Sequence, residues 1–146
     1  MNLRTANPED FDFLYRLHRA AIKDYVAQTW GWDEAWQQNY FRQQFNPSAN
    51  QIIVSQGQDV GVVSVSEKDS EIFLSNIELL PEFQGRGIGT SVIRAVLEDA
   101  KRKEKAVVLR VLKVNPVRRL YERLGFSVAG ETATHYLMKA VPTGAT

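Results

Sequence analysis

Glu82 to Ile93 reads EFQGRGIGTSVI, and this stretch decides the fold. Three glycines, Gly85, Gly87 and Gly89, bracket Arg86 and Ile88. The apolar run before it, IFLSNIELL (72–80), reads as a strand. The run after it, SVIRAVLEDAKRK (91–103), reads as a helix. Glycine is entropically costly to order, so three of them at a strand-to-helix junction need a reason. Glycines just after a strand let backbone N–H groups crowd around an anion at a helix N-terminus, where unpaired donors and the helix dipole both favour negative charge. Arg86 can add a charge-assisted contact. By physics alone the junction is a diphosphate cradle. Taken in isolation, a tight turn with a glycine-permitted helix start competes with that reading.

The spacing narrows the choice of diphosphate. A Walker A loop needs Gly-Lys-Ser/Thr after a longer loop, whereas Gly89 is followed by Thr90 and Ser91 with no lysine. A dinucleotide fingerprint needs G-x-G-x-x-G, and the chain has G-x-G-x-G. The next strand, AVVLRVL (106–112), ends without an acidic residue to hold a ribose.

Working outward, a short strand is expected over Leu3–Ala6. Asn7 is a good cap, Pro8 suits a first helical position, and Glu9 and Asp10 favour the positive end of a helix. Phe11, Leu14, Leu17, Ala21 and Tyr25 recur at helical spacing, which predicts a helix over about 8–28. Gly31 interrupts it within TWGWDEAW (29–36). Asp33 can cap a second helix with Trp36, Tyr40, Phe41 and Phe45 as its apolar side, Trp36 reading as core. That helix should stop near Pro47. QIIVS and VGVVSVS, joined by QGQD, read as a hairpin, and EIFLSNIELL follows after EKDS. Past the glycine loop, the helix over 87–103 has Ile88, Val92, Ala95, Val96 and Ala100 on one side. Asn115 and Pro116 repeat the cap-plus-proline signature before a short helix that Gly125 stops. FSVAG and THYLMKA close the chain as strands. The order β-α-α-β-β-β-α-β-α-β-β predicts an α/β (α+β) fold: a mixed sheet with helices on both faces.

The chain has 146 residues, enough for one domain with a real core. A single domain is expected over 1–141, with 142–146 as a flexible tail. Net charge is +1, which gives no reason to expect a nucleic-acid or membrane partner. There are no cysteines, so disulfides, thiol nucleophiles and thiolate metal sites are excluded; the lack of them is consistent with a cytoplasmic location. The first residues, MNLRTANPEDF, carry no apolar signal core, and no run approaches the roughly 20 apolar residues of a membrane span. The two histidines, His18 and His135, make a histidine-rich metal site unexpected; no metal is expected.

Gln84-Gly85-Arg86-Gly87-Ile88-Gly89 matches the Q/R-x-x-G-x-G/A signature of the GNAT superfamily of acetyl-CoA-dependent N-acetyltransferases. LLPEFQGRGIGTSVI resembles that family's fourth strand, loop and third helix, and VNPVRRLYERLGF resembles its Asn…Tyr-x-x-x-Gly-Phe segment. The resemblance is specific over about 72–126. It implies a single GNAT-like domain whose fourth and fifth strands splay apart, with the cofactor arm in the gap. It implies that backbone N–H groups from Gln84, Gly85, Arg86, Gly87, Ile88 and Gly89, with Thr90 nearby, hold the diphosphate of acetyl-CoA, used as co-substrate. Leu79 and Leu80 would pair with the pantetheine arm through their backbone. An N–H near Leu79 would polarise the thioester carbonyl. Asn115 would bond the pantetheine. Tyr121 matches the tyrosine that protonates the departing thiolate.

The expected chemistry is direct attack of a primary amine, from a small molecule or a peptide, on the thioester. An alkylammonium has a reference pKa of about 10.4 and an α-ammonium of about 8, so the amine's proton needs a route. Glu78, on the fourth strand beside the reaction centre, is the candidate base; a solvated or salt-bridged glutamate is the competing reading. His135 is a more distant candidate. The stretch LRVLKV (109–114) offers Arg110 and no acid, where relatives that modify protein N-termini carry a carboxylate; this argues against such a substrate. Trp30, Trp32 and Glu34 could clasp a cationic amine. A homodimer is compatible with the sequence. Two other functions fit less well: a non-catalytic acyl-CoA-binding sensor or regulatory domain, and a nucleotide-binding module using the glycine loop.

Overall fold

Asn7 begins the helical part of the chain with a reciprocal cap. Its side chain accepts from Glu9 N, and Asp10 bonds back to the Asn7 N–H. Pro8–Asp10 form a 3-10 turn, so the long helix α1 runs from Phe11 to Thr29, starting three residues later than the periodicity suggests. Gly31 stops it at φ 84°, a conformation that costs glycine nothing. Helix α2 spans Glu34–Gln44, with Asp33 accepting from Trp36 N as its cap. Helix α3 spans Ile88–Arg102 and α4 spans Arg118–Arg123. The strands are β1 (Asn2–Thr5), β2 (Gln51–Ser55), β3 (Gln58–Glu67), β4 (Glu71–Leu79), β5 (Ala106–Leu112), β6 (Ser127–Glu131) and β7 (His135–Ala140).

The computed structural model describes residues 1–142; the expected tail, apart from Pro142, lies outside the described residues. Among the described residues the strands form one mixed sheet in the order β1-β2-β3-β4-β5-β7-β6. The element order and the α/β class are those expected. β4 and β5 are parallel, their ladder pairing Glu71 with Ala106 and Phe73 with Val108. So short a parallel ladder, on strands that run on to Leu79 and Leu112, fits the splay that the resemblance implies.

The contacts divide the chain into two compact units. The first holds Met1–Ser64 and Asn76–Gln84. Its β2–β3 hairpin turns at Gln56 and Gly57, with φ 52° and 77°, the two left-handed residues of the turn whose twist matches a hairpin. Its core joins Ala6, Leu14, Leu17, Ile52 and Val62, with Phe41 and Phe45 packed against them. Each fully buried aliphatic side chain is worth roughly 1.5–3 kcal/mol. Arg4 clamps this unit's edge, its guanidinium bonding Asp10 at 2.9 and 3.0 Å and Asp59 at 2.9 Å. Its hydrogen bonds hold the Asp10 carboxyl below the usual carboxylate range.

On α2 the expected apolar side splits in two. Phe41 and Phe45 are half-buried, whereas Trp36 and Tyr40 are exposed and stack on each other at 5.1 Å. Trp36 is therefore not a core residue. Each pair is spaced i, i+4, but five residues from Trp36 to Phe41 turn the helix by a large angle at 3.6 residues per turn. Two stripes result, and the core takes one.

The second unit holds Val65–Ser75 and the chain from Gly85 onward. Its α3 buries Val92, Ile93 and Ala100; Ala95, expected on the apolar side, is exposed, so the buried stripe is rotated about the helix towards Ile93. Glu67 accepts from Lys103 and Lys105 at 2.6 and 2.7 Å, bonds that hold its carboxyl at about 2. The cationic end of α3 is thus anchored to β3 as well as solvated. Gly125, at φ 104°, ends α4.

Candidate active site

In the first unit, Glu78 is 6% exposed on β4. A side chain on a strand points to one face or the other, and this one points towards α1. Its Oε2 lies 2.8 Å from His18 Nδ1. As a carboxylate Glu78 accepts, which puts the ring proton on Nδ1. Its Oε1 is buried and has no hydrogen-bond partner among the described residues. Buried polar atoms without a partner are rare and call for an explanation. A cavity of about 130 Å³ opens in front of Glu78. Leu14, Phe41, Phe45 and Val62 make its apolar wall, and Asn76 joins Glu78 on β4. The His18 ring lies 5.3 Å from Phe41, and its side chain is 26% exposed.

Sequence reasoning named Glu78 and missed its partner. His18 lies 60 residues away, and the available signal was its place one turn beyond buried Leu14, on the same face of α1. Gly61 was also missed. A Cβ there would lie 2.4 Å from the Glu78 carbonyl oxygen and 2.7 Å from Leu79 Cδ2. Only glycine lets β3 approach β4 that closely, so Gly61 fixes the backbone that carries Glu78.

At the end of β4, the Leu80 N–H donates to Val60 O at 2.9 Å, and Gln84 Nε2 donates to Leu79 O at 3.0 Å. Backbone groups of successive strand residues face opposite edges, so the Leu79 N–H lies on the edge turned away from β3. Gln84 therefore folds its side chain back onto the strand, as a cap on the loop entry.

In the second unit, Gly85 and Gly87 take φ 75° and 84°, and nothing lies within 4 Å of the place a Cβ would occupy on either. Gly87 is the N-cap of α3, so the first amides of α3 lack partners in the preceding turn. The loop thus presents main chain where side chains would otherwise stand, as a diphosphate cradle requires. Arg86, Gly87 and Gln84 are exposed, while Ile88, Gly89 and Thr90 are half-buried. Asn115 Oδ1 accepts from Val117 N at 3.0 Å, capping the turn into α4; its amide NH₂ adds two donors. Tyr121 is 7% exposed, its ring edge-on to Phe126 at 5.7 Å. His135 sits beside Thr134 Oγ1 at 2.8 Å, and burial, then Arg110, pushes its pKa down.

The α1–α2 turn is built around Glu34. Its Oε2 accepts from Tyr15 OH, and its Oε1 from Arg19 Nε at 2.7 Å and Trp32 Nε1 at 3.2 Å. These bonds hold its carboxyl at about 2, while burial and Glu34 push the Tyr15 phenol up to about 12. Both Glu34 oxygens are engaged, so any part it has in recognition acts through the turn it braces. Trp30 is 61% exposed.

Among the described residues no group of three or more His, Cys, Asp or Glu side chains could hold a metal ion, and no helix is long and apolar enough to cross a membrane.

The sequence matches the model of the acetyltransferase (GNAT) family over residues 12–126. No curated protein matches it. Among solved structures it resembles the PaiA N-acetyltransferase of Thermoplasma acidophilum in complex with coenzyme A, with TM-score 0.78 and 17% identity over 96% of this chain and 98% of that one. It also resembles the ribosomal-protein-S18-alanine N-acetyltransferase of Escherichia coli, with TM-score 0.69 and 18% identity over 99% and 96%. A third is Naa20 of Chaetomium thermophilum in complex with a bisubstrate analogue, with TM-score 0.65 and 17% identity over 97% and 86%.

Proposed function

The chain belongs to the GNAT acetyltransferase family, and from that premise we propose that it is an N-acetyltransferase that moves an acetyl group from acetyl-CoA to a primary amine by direct attack. The family makes it an acyltransferase using an acyl-CoA. The observation that carries the amine reading is the Glu78 side chain, buried on β4 and lining a cavity, with no donor on Oε1 among the described residues.

The glycine loop fits a diphosphate, because Gly85 and Gly87 leave open the space that Cβ atoms would fill. In this reading main-chain N–H groups from Gln84 to Gly89, with Thr90, hold the diphosphate, and Asn115 donates to the pantetheine. The Leu79 N–H, on the edge of β4 turned away from β3, donates to the thioester carbonyl oxygen as charge builds on it. Bound acetyl-CoA supplies an electrophilic acyl carbon and a sulfur able to leave as thiolate.

Glu78 takes a proton from the ammonium, so the nitrogen lone pair becomes available. The new C–N bond forms as the C–S bond breaks, and Tyr121 gives its phenolic proton to the sulfur. The second proton that the nitrogen loses in becoming an amide passes through solvent to restore the Tyr121 phenol, and Glu78 gives its proton to solvent, so one proton is released per turnover. His18 holds Oε2 and leaves Oε1 as the basic atom. Each well-placed proton transfer contributes roughly 10²–10⁴-fold.

The test is free-thiol release from acetyl-CoA over a panel of primary amines, with coenzyme A binding measured alongside by calorimetry. Turnover with at least one amine is expected, and Tyr121→Phe should slow it while leaving coenzyme A affinity in place. Binding with no turnover across the panel would point instead to a sensor domain.

A further inference from the structure

The reading of this chain as an amine acyltransferase leaves its acceptor open, and the cavity beside Glu78 narrows it. We propose that this cavity is an ammonium subsite, and that the acceptor is a short, unbranched aliphatic primary amine that enters nitrogen first. The inference rests on the amine-acyltransferase reading given above.

Charge comes first. Glu78 is 6% exposed and lines the cavity, and its buried Oε1 has no donor among the described residues. A buried carboxylate oxygen without a donor is unfavourable, and a cation that also donates hydrogen bonds relieves it. An ammonium meets both needs; an alcohol of the same shape meets neither as well. Hydrogen bonds to charged groups exceed neutral ones by enough to make roughly a tenfold preference.

Size comes next. The cavity volume is about 130 Å³, and an apolar cavity of roughly 150 Å³ takes a benzene-sized guest. That leaves room for the nitrogen and about four or five carbons. Beside the polar Gln44, Asn50 and Asn76, the lining has four apolar residues: Leu14, Phe41, Phe45 and Val62. They suit a methylene stem, and the two phenylalanine rings suit an ammonium at their faces.

A peptide N-terminus fits poorly, because its branched α-carbon and the peptide group after it exceed the volume open in front of Glu78. Polar lining at Gln44, Asn50 and Asn76 stands beside the apolar wall; the Asn50 amide already accepts from Ser64 and donates to Asn46 O.

The experiment is a melting-temperature titration of the full chain without acetyl-CoA, at matched ionic strength. The probes are n-butylammonium, n-butanol and tert-butylammonium. Only n-butylammonium is expected to raise the melting temperature at low millimolar concentration, with an affinity about tenfold or more above the alcohol. Glu78→Gln should abolish that preference. An equal response to butanol, or a preference that survives in Glu78→Gln, would overturn the proposal. Should that variant fail to melt cooperatively, the wild-type series from ethyl- to octylammonium decides. Affinity is expected to peak at four or five carbons, and a steady rise through eight would also overturn the proposal. These readings need no turnover. Their failure beside normal thiol release would sink the subsite alone, and ammonium binding without turnover would sink the acyl-transfer reading alone.

Discussion

Glu34 and Glu78 are two carboxylates of the same unit with opposite surroundings. Glu34 has a side chain 40% exposed and three donors on it. Glu78 has a side chain 4% exposed and, among the described residues, a single partner, His18. The exposed one needs its donors least, since water would serve it. The buried one needs them most and has fewer. The contrast supports a structural part for the first and the proposed chemical part for the second, whose buried Oε1 has no donor among the described residues.

That contrast can be broken from several sides. The largest effect on the fold is expected from Gly61→Ala. Its Cβ would press on the Glu78 carbonyl oxygen, 2.4 Å away, so β4 must shift. A loss of about 1–3 kcal/mol is expected in denaturant titration, together with a fall in turnover because Glu78 moves. Wild-type stability would show that the strands part easily, and that the position of Glu78 is not set there.

His18→Gln should come next. It keeps an amide donor near Oε2 in place of the imidazole. Turnover should fall less than on loss of Glu78 itself while coenzyme A affinity holds, and His18→Leu, which keeps no donor, should cost more. Equal losses in the two variants would make His18 a packing residue.

Glu34→Gln should give a smaller effect, a modest drop in melting temperature as Tyr15, Arg19 and Trp32 lose a shared acceptor. A loss as large as that of Gly61→Ala would mean the turn, and not the cavity floor, is the more demanding element.

The smallest effect is an acid titration of the same clasp. Glu34 is held at about 2, below its ordinary 4.5. A carboxyl lowered in this way stabilises the fold above its ordinary value and loses that contribution as pH falls through about 2. Trp32 Nε1 donates to Glu34, so tryptophan emission should change between about pH 4.5 and 2, and Glu34→Gln should remove that step. A wild-type step centred near 4.5 would show that the clasp does not hold in solution.

What could be read from the sequence divides along the same line. The glycine loop, the caps at Asn7 and Asp33 and the stop at Gly125 are local, each decided by a few neighbouring residues. The resemblance over 72–126 covered the cofactor half of the proposed site. Glu78 could be named because it stands beside that motif. Its setting could not, because burial, the His18 contact and the close approach at Gly61 arise only when distant segments meet. Trp36 was misjudged for a related reason. Four aromatics on one short helix look like one face, and only the packed core shows which pair it takes.

One measurement bears most directly on the claim that Glu78 accepts the amine proton. It is the rate of amine-dependent thiol release by Glu78→Gln, taken beside its melting temperature and its coenzyme A affinity. The account predicts a fall of roughly 10²–10⁴-fold in a variant that folds and binds coenzyme A as the wild type does. A rate within twofold of wild type in such a variant would contradict it.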